Sequence, residues 1–207
     1  MDIKLIFGVT TLHFLALISP GPDFVLALRN SLQFGRQMGM ATALGFGLGI
    51  AIHVSYSIAG IALLLKEFPG VYNLIRYAGA LYLIWLGISA LWNTIRFPKK
   101  KDTLTFELRA TQGFAKCFTQ GFLTNLLNPK ATLFILGIFT SIIPSETSLT
   151  TLLGAGINMV VLTILWFCLV SWLFSSKNIR LLYSKLENVL NLIFAFFFIT
   201  IGTWLFF

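Results

Sequence analysis

Hydrophobic residues run through this chain in long stretches that short polar links separate. A helix that crosses a membrane needs about 20 mostly apolar residues, and six stretches reach that length. They are Leu5–Gln33, Gly39–Leu65, Val71–Ile95, Phe114–Ile143, Leu149–Phe174 and Leu181–Phe207. The pattern predicts an all-α integral membrane protein with about six hydrophobic segments.

The segments fall into two groups of three, because the longest polar interruption is Arg96–Thr111. Shifting the sequence by 109 positions aligns the groups and places Pro20 on Pro129. Since three spans per group is an odd number, the two groups should have opposite orientations in the membrane. We expect one transmembrane domain, 1–207, with inverted three-helix repeats at about 1–97 and 114–207 and a basic link at about 96–116.

Composition supports the membrane class, since 57% of the residues are hydrophobic and 11% are charged, whereas soluble domains carry about a quarter charged residues. The net charge of +8 lies in short links between apolar segments, so no nucleic-acid partner is expected. Cys117 and Cys168 are isolated, without the spacing of a metal site, and no cofactor is expected. Pro20-Gly21-Pro22-Asp23 stands where a signal peptide would have small residues, so we expect no cleavage there.

Lysine and arginine predict the orientation in the membrane. The link Arg96–Lys116 carries six of them, which places it in the cytoplasm, whereas Pro144–Ser148 on the opposite side carries only Glu146. We therefore expect a multi-pass protein of the cytoplasmic (inner) membrane. Six full spans put both termini outside. If the first segment turns back at Pro20, the N-terminus is inside and five spans remain.

Two breaks interrupt otherwise apolar segments, at Pro20-Gly21-Pro22 and at Asn128-Pro129. Proline removes an amide donor and obstructs a helix interior, so each break should free backbone carbonyls and amides. Amides at the start of a half-helix favour a carboxylate, and freed carbonyls favour an ammonium group. The pattern predicts either a site for a zwitterion or kinked helices whose backbone groups are satisfied by neighbouring helices.

Asp23 and Lys130 follow the two breaks, and a charge in a spanning helix costs about 3 kcal/mol or more. We expect the two to pair with each other, either as a static clamp between the halves or as a couple that titrates during proton-driven transport. Asn125 and Asn128 lie three residues apart, on one helical face. They could bind a polar solute or bond between helices.

His53 belongs to a stripe of small and polar residues that also contains Gly45 and Gly49. Histidine can shuttle protons near neutral pH, and a buried neutral histidine is the alternative. His13, seven residues before Pro20, carries weaker evidence of the same kind. The glycines allow close helix packing, within one subunit or between subunits, so a homo-oligomer stays open.

Five motifs are distributed along the chain: Pro20-Gly21-Pro22-Asp23, Gly35-Arg36-x-x-Gly39, the Gly45/Gly49/His53 run, Gly79-Ala80-x-Tyr82-Leu83-x-x-x-Gly87 and Gly121-Phe122-x-x-Asn125-x-x-Asn128-Pro129-Lys130-Ala131. Together they resemble the LysE/RhtB family of amino-acid exporters, and the likeness extends over essentially the whole chain.

The resemblance implies a secondary transporter that exports amino acids or close derivatives in exchange for protons, with the lipid bilayer as its surroundings. Asp23 would be the coupling carboxylate, Lys130 its partner or the anchor of a substrate carboxylate, and Asn125 and Asn128 would line the site. Export of another small polar solute or ion is the alternative, and a membrane scaffold is a second one. No nucleophile–base pair or metal cluster is visible in the sequence, so an enzyme is not expected.

Overall fold

The computed structural model describes residues 1–67, 69–96, 112–144, 146–174 and 176–204. In these ranges the chain forms eight α-helices and no strand, as the predicted all-α class requires. The helices are α1 (Ile3–Ile18), α2 (Pro22–Phe34), α3 (Arg36–Glu67), α4 (Pro69–Arg96), α5 (Phe114–Leu126), α6 (Pro129–Ser141), α7 (Leu149–Leu173) and α8 (Lys177–Trp204). Most of the predicted basic link at 96–116 lies outside the described residues.

Three of these helices are long and apolar enough to cross a membrane, with spans at Arg36–Gly60, Tyr77–Arg96 and Leu149–Leu173. Counting each bent pair of helices as one span raises the number within the described residues to five. The last predicted segment contains a shorter apolar helix, Asn188–Trp204. The expectation of about six hydrophobic segments is therefore met, with breaks inside the first and the fourth.

The first bent pair, α1 and α2, runs along the whole length of α7. At the start of α7, the backbone amide of Asp2 donates to the Thr151 hydroxyl over 3.0 Å. After the break and α2, Gly39 packs against Ser171 near the end of α7. The chain has therefore moved from one end of the bundle to the other before α3 begins, as a spanning segment does. The arrangement supports the first of the two topologies above, in which the first segment does not turn back at Pro20.

Gly35 makes the turn from α2 into α3 possible. Its φ angle is +90°, a left-handed conformation that side chains disfavour and glycine adopts freely. The Gly35 amide still bonds to the Ser31 carbonyl over 3.1 Å, which closes the end of α2.

The centre of the bundle is α3, which packs against α2, α5, α6 and α7, while α4 packs against α6 and α8. Apolar side chains fill the spaces between them, as where the Phe46 and Phe167 rings meet with centroids 4.7 Å apart. Two glycines that lie 109 positions apart, Gly47 and Gly156, let α3 and α7 pack closely. A side chain at Gly47 would collide with Ile164 of α7, and one at Gly156 of α7 would collide with Val54 of α3.

Candidate functional site

The first break lies between Ile18, the last residue of α1, and Pro22, the first residue of α2. The two helix axes meet there at 60°. Gly21 is the extended N-cap of α2, and Pro22 occupies the first helical turn, where a missing amide costs nothing. Asp23 follows in that same turn, so its carboxylate lies at the positive end of the α2 dipole.

The second break has the same construction. Here α5 ends at Leu126, α6 begins at Pro129, and the axes meet at 54°. Asn128 is the N-cap of α6, and its side-chain oxygen accepts a 3.0 Å hydrogen bond from the backbone amide of Lys130. Asn128 thus binds an amide that the start of a helix leaves without an intrahelical partner.

The two breaks meet, and each provides a bonding partner for the other. The Lys130 ammonium donates to the backbone carbonyl of Ser19 over 2.9 Å, and the Asn125 amide donates to Asp23 Oδ2 over 2.7 Å. The expected direct pairing of Asp23 with Lys130 is not found in the described residues. Lys130 instead donates a hydrogen bond to a carbonyl that the first break has freed, and the carboxylate accepts one from Asn125.

His53 supports the second break from α3. A proline at position 129 has no amide to offer the Asn125 carbonyl four residues earlier. His53 Nε2 lies 3.1 Å from that carbonyl. Since a carbonyl can only accept, Nε2 carries the proton. In the neutral ring Nδ1 then accepts from the Tyr56 hydroxyl, 2.6 Å away. His53 therefore has structural hydrogen-bond partners on both ring nitrogens.

Close helix packing holds α5 in this position. A side chain at Gly45 would collide with the backbone of Phe118 and Phe122, and one at Gly121 would collide with the Thr42 carbonyl. Gly49 lies directly beneath the Asn125 side chain, with its missing Cβ 3.0 Å from Asn125 Cγ. The glycine spacing in the sequence predicted close packing, but it did not identify Asn125 as the group that Gly49 accommodates.

A cavity of about 40 Å³ lies between the breaks, large enough for roughly three water molecules. Its wall includes the predicted residues Gly21, Asp23, Asn125, Asn128 and Lys130. The remaining predicted site residues do not line the cavity. Pro20, Pro22 and Pro129 form the helix breaks, and His53 contacts the backbone carbonyl of Asn125, which is part of the cavity wall.

Sequence reasoning missed most of the apolar wall of the cavity, which Leu17, Ile50, Phe134, Ile135 and Phe167 form. These residues come from α1, α3, α6 and α7. In a chain with 21 phenylalanines, no local signal distinguishes the ones that line a cavity from those that fill the core.

The charges and acceptors in the cavity suit a zwitterion. No hydrogen-bond partner within the described part of the chain reaches Asp23 Oδ1, Asn125 Oδ1 or His13 Nδ1, and buried acceptors without partners are rare. The Lys130 ammonium has three donor positions, of which Ser19 takes one. The cavity can therefore offer a carboxylate to an ammonium group and an ammonium to a carboxylate.

A metal ion has no comparable set of ligands. Across the described ranges, no group of three or more histidine, cysteine, aspartate or glutamate side chains could hold one. Cys117 and Cys168 are free thiols and do not line the cavity.

Comparison with known proteins finds three similarities. A sequence model described as LysE type translocator matches residues 14–207. The chain is 28% identical over 188 residues to the threonine efflux protein of Escherichia coli strain K12, covering 90% of this chain and 89% of that protein. It is 34% identical over 157 residues to the leucine efflux protein of Salmonella choleraesuis strain SC-B67, covering 76% of this chain and 71% of that protein. No solved structure matches the chain.

Proposed function

Since this chain belongs to the LysE-type translocator family, we propose that it is a secondary transporter that exports amino acids or close derivatives across the cytoplasmic membrane, in exchange for protons. The observation that carries the proposal is the meeting of two helix breaks at a buried cavity with one carboxylate and one ammonium. Relatives named as threonine and leucine efflux proteins support the substrate class.

The backbone ends of an amino acid match the two charged groups of the cavity. The substrate ammonium binds the unpartnered Oδ1 of Asp23, while Asn125 keeps Oδ2 in place. The substrate carboxylate binds Lys130, whose ammonium already lies 2.9 Å from the Ser19 carbonyl. Both contacts are charge-assisted and so stronger than neutral hydrogen bonds.

Exchange with protons follows from competition for Asp23. A carboxylate that has bound a proton no longer attracts an ammonium group, so Asp23 holds either a proton or the substrate. The positive-inside expectation places the Ser171 end of α7 in the cytoplasm. In this orientation the substrate enters from the Ser171 end, and a proton arriving from the Thr151 end displaces it outward.

The test is transport by the purified full-length chain in liposomes with an imposed pH gradient. Labelled threonine, homoserine, lysine, leucine and cysteine are screened with the wild type, Asp23→Asn and Asp2→Asn. Asp2→Asn is the matched control, because Asp2 is an exposed N-cap at the start of α1 and asparagine caps a helix equally well. We expect gradient-driven movement of at least one amino acid by the wild type and the control, and its loss in Asp23→Asn.

A scaffold would behave differently from an exporter. The double variant Asp23→Asn with Lys130→Gln removes both charges but keeps polar side chains of similar size. A scaffold tolerates it without loss of function, whereas an exporter of this mechanism stops moving substrate. If folded wild-type protein moves none of the amino acids, amino-acid export is wrong.

A further inference from the structure

His13 is a buried histidine in the cavity wall to which the transport mechanism above gives no role. It lies on α1, it is 2% exposed, and it lines the cavity together with Asp23 and Lys130. Its Nε2 lies 2.9 Å from the hydroxyl oxygen of Thr163 on α7. Thr163 does not line the cavity, so Nε2 points away from it.

The Thr163 hydroxyl determines which nitrogen of His13 carries the proton. A hydroxyl has one hydrogen to donate, and that of Thr163 goes to the Met159 carbonyl over 2.8 Å. The hydroxyl oxygen can then only accept from His13, so Nε2 carries the ring proton. Since a neutral imidazole has one N–H, Nδ1 is an acceptor.

His13 Nδ1 is therefore a fixed acceptor that the described residues leave without a partner. A buried acceptor without a donor loses free energy, so the occupant of the cavity is the natural source of one. The substrate ammonium is already matched by Asp23. Around His13 the wall is apolar, with Leu17, Phe134 and Phe167.

We propose that His13 Nδ1 accepts a hydrogen bond from a hydroxyl group on the substrate side chain, so that this carrier selects small hydroxylated amino acids over apolar ones of the same size. The proposal rests on the proposed function, since it identifies the side-chain class of the exported amino acid. His13 is thereby a specificity-determining residue.

Threonine and valine make the sharpest comparison, because they have nearly the same shape and differ by a hydroxyl and a methyl group. An apolar pocket alone discriminates poorly between such a pair, whereas a site built to bond a hydroxyl rejects the analogue that lacks it. Valine would leave Nδ1 buried and unpaired. We expect wild-type kcat/KM for threonine to exceed that for valine by about tenfold, the effect of one buried hydrogen bond left unmade.

The experiment measures uptake of labelled threonine and valine into liposomes that contain the full-length wild type or one of three variants. His13→Phe removes the acceptor and keeps an aromatic ring, and His13→Gln keeps a side-chain acceptor. Thr10→Val is the matched control. It removes another unpartnered buried hydroxyl from α1 at a residue that does not line the cavity.

Expected results are a threonine preference in the wild type, Thr10→Val and His13→Gln, and its loss or reversal in His13→Phe with valine transport retained. Two results overturn the proposal for His13 and leave amino-acid export intact. One is equal transport of threonine and valine by the wild type. The other is an undiminished preference in folded His13→Phe, which would mean that Nδ1 bonds only to water. Absence of transport of any amino acid overturns both proposals.

Discussion

The contact between Gly49 and Asn125 makes Gly49→Ala a direct test of how the site is held. The new Cβ would lie 3.0 Å from both Cβ and Cγ of Asn125, and closer still to Oδ1. Ordinary contact begins at 3.4 Å, so the Asn125 side chain must move away from α3. Its 2.7 Å hydrogen bond to Asp23 then lengthens or breaks.

Two energies oppose each other in this variant. Overpacking costs about 1–3 kcal/mol, and alanine improves helix propensity by about 1 kcal/mol over glycine, so packing at position 49 by itself should lower the free energy of unfolding by no more than about 2 kcal/mol. Loss of a hydrogen bond to a charged group costs roughly 1.5–3 kcal/mol. Since about 1.4 kcal/mol changes a rate tenfold, amino-acid transport should fall roughly 10- to 100-fold.

The experiment measures the rate of amino-acid transport in liposomes and the melting temperature of the protein in detergent. Gly60→Ala is the matched control on the same helix, because nothing lies within 4 Å of its Cβ position, and it should leave transport unchanged. In an Asn125→Ala background the clash is gone, so Gly49→Ala should no longer lower the melting temperature. Full transport by Gly49→Ala, or an equal destabilisation in both backgrounds, would refute the reasoning.

Three further predictions concern stability and topology. His53→Phe removes the 3.1 Å bond to the Asn125 carbonyl, which keeps its 3.0 Å bond from the Asn128 amide, so we expect a loss of about 0.5–1.5 kcal/mol, seen as a lower melting temperature; an unchanged value would contradict it. Gly202→Ala should also lower the melting temperature because its Cβ would lie 2.8 Å from a backbone carbonyl of α4, whereas Gly70→Ala, with open space around it, should not. A cysteine at Asp2 should react with a membrane-impermeant thiol reagent added outside intact cells, and labelling only after permeabilisation would place the N-terminus inside.

The positions of both breaks could be predicted because they depend on local chemistry. Pro20, Pro22 and Pro129 lack amide donors, so the regular intrahelical hydrogen bonds cannot form at these positions, whatever the rest of the chain does. The helix boundaries followed to within a few residues for the same reason, as with α1, predicted to begin at Leu5 and observed from Ile3.

The partners across the breaks could not be predicted, because they depend on how helices far apart in sequence pack. The expectation that Asp23 and Lys130 pair came from the cost of burying two charges. In the structure the Asn125 amide stabilises the Asp23 carboxylate, and the Ser19 carbonyl stabilises the Lys130 ammonium. These two hydrogen bonds offset the cost instead of a direct ion pair. The contact of His13 with Thr163 joins residues 150 positions apart, and no pattern in the sequence indicates it.

The hydrogen bonds between the breaks also bear on how the chain assembles. A helix of 16 residues, such as α1, is about 24 Å long at 1.5 Å per residue, short of a hydrocarbon core of about 30 Å. Each half-helix must therefore insert together with its partner. The hydrogen bond between the Lys130 ammonium and the Ser19 carbonyl can form only after the two halves of the chain have packed together. Before that moment each half carries an uncompensated polar group in the bilayer, so we expect neither half to be stable when synthesised alone. Docking of the two halves, rather than insertion of any single helix, then becomes the step that commits the protein to its fold.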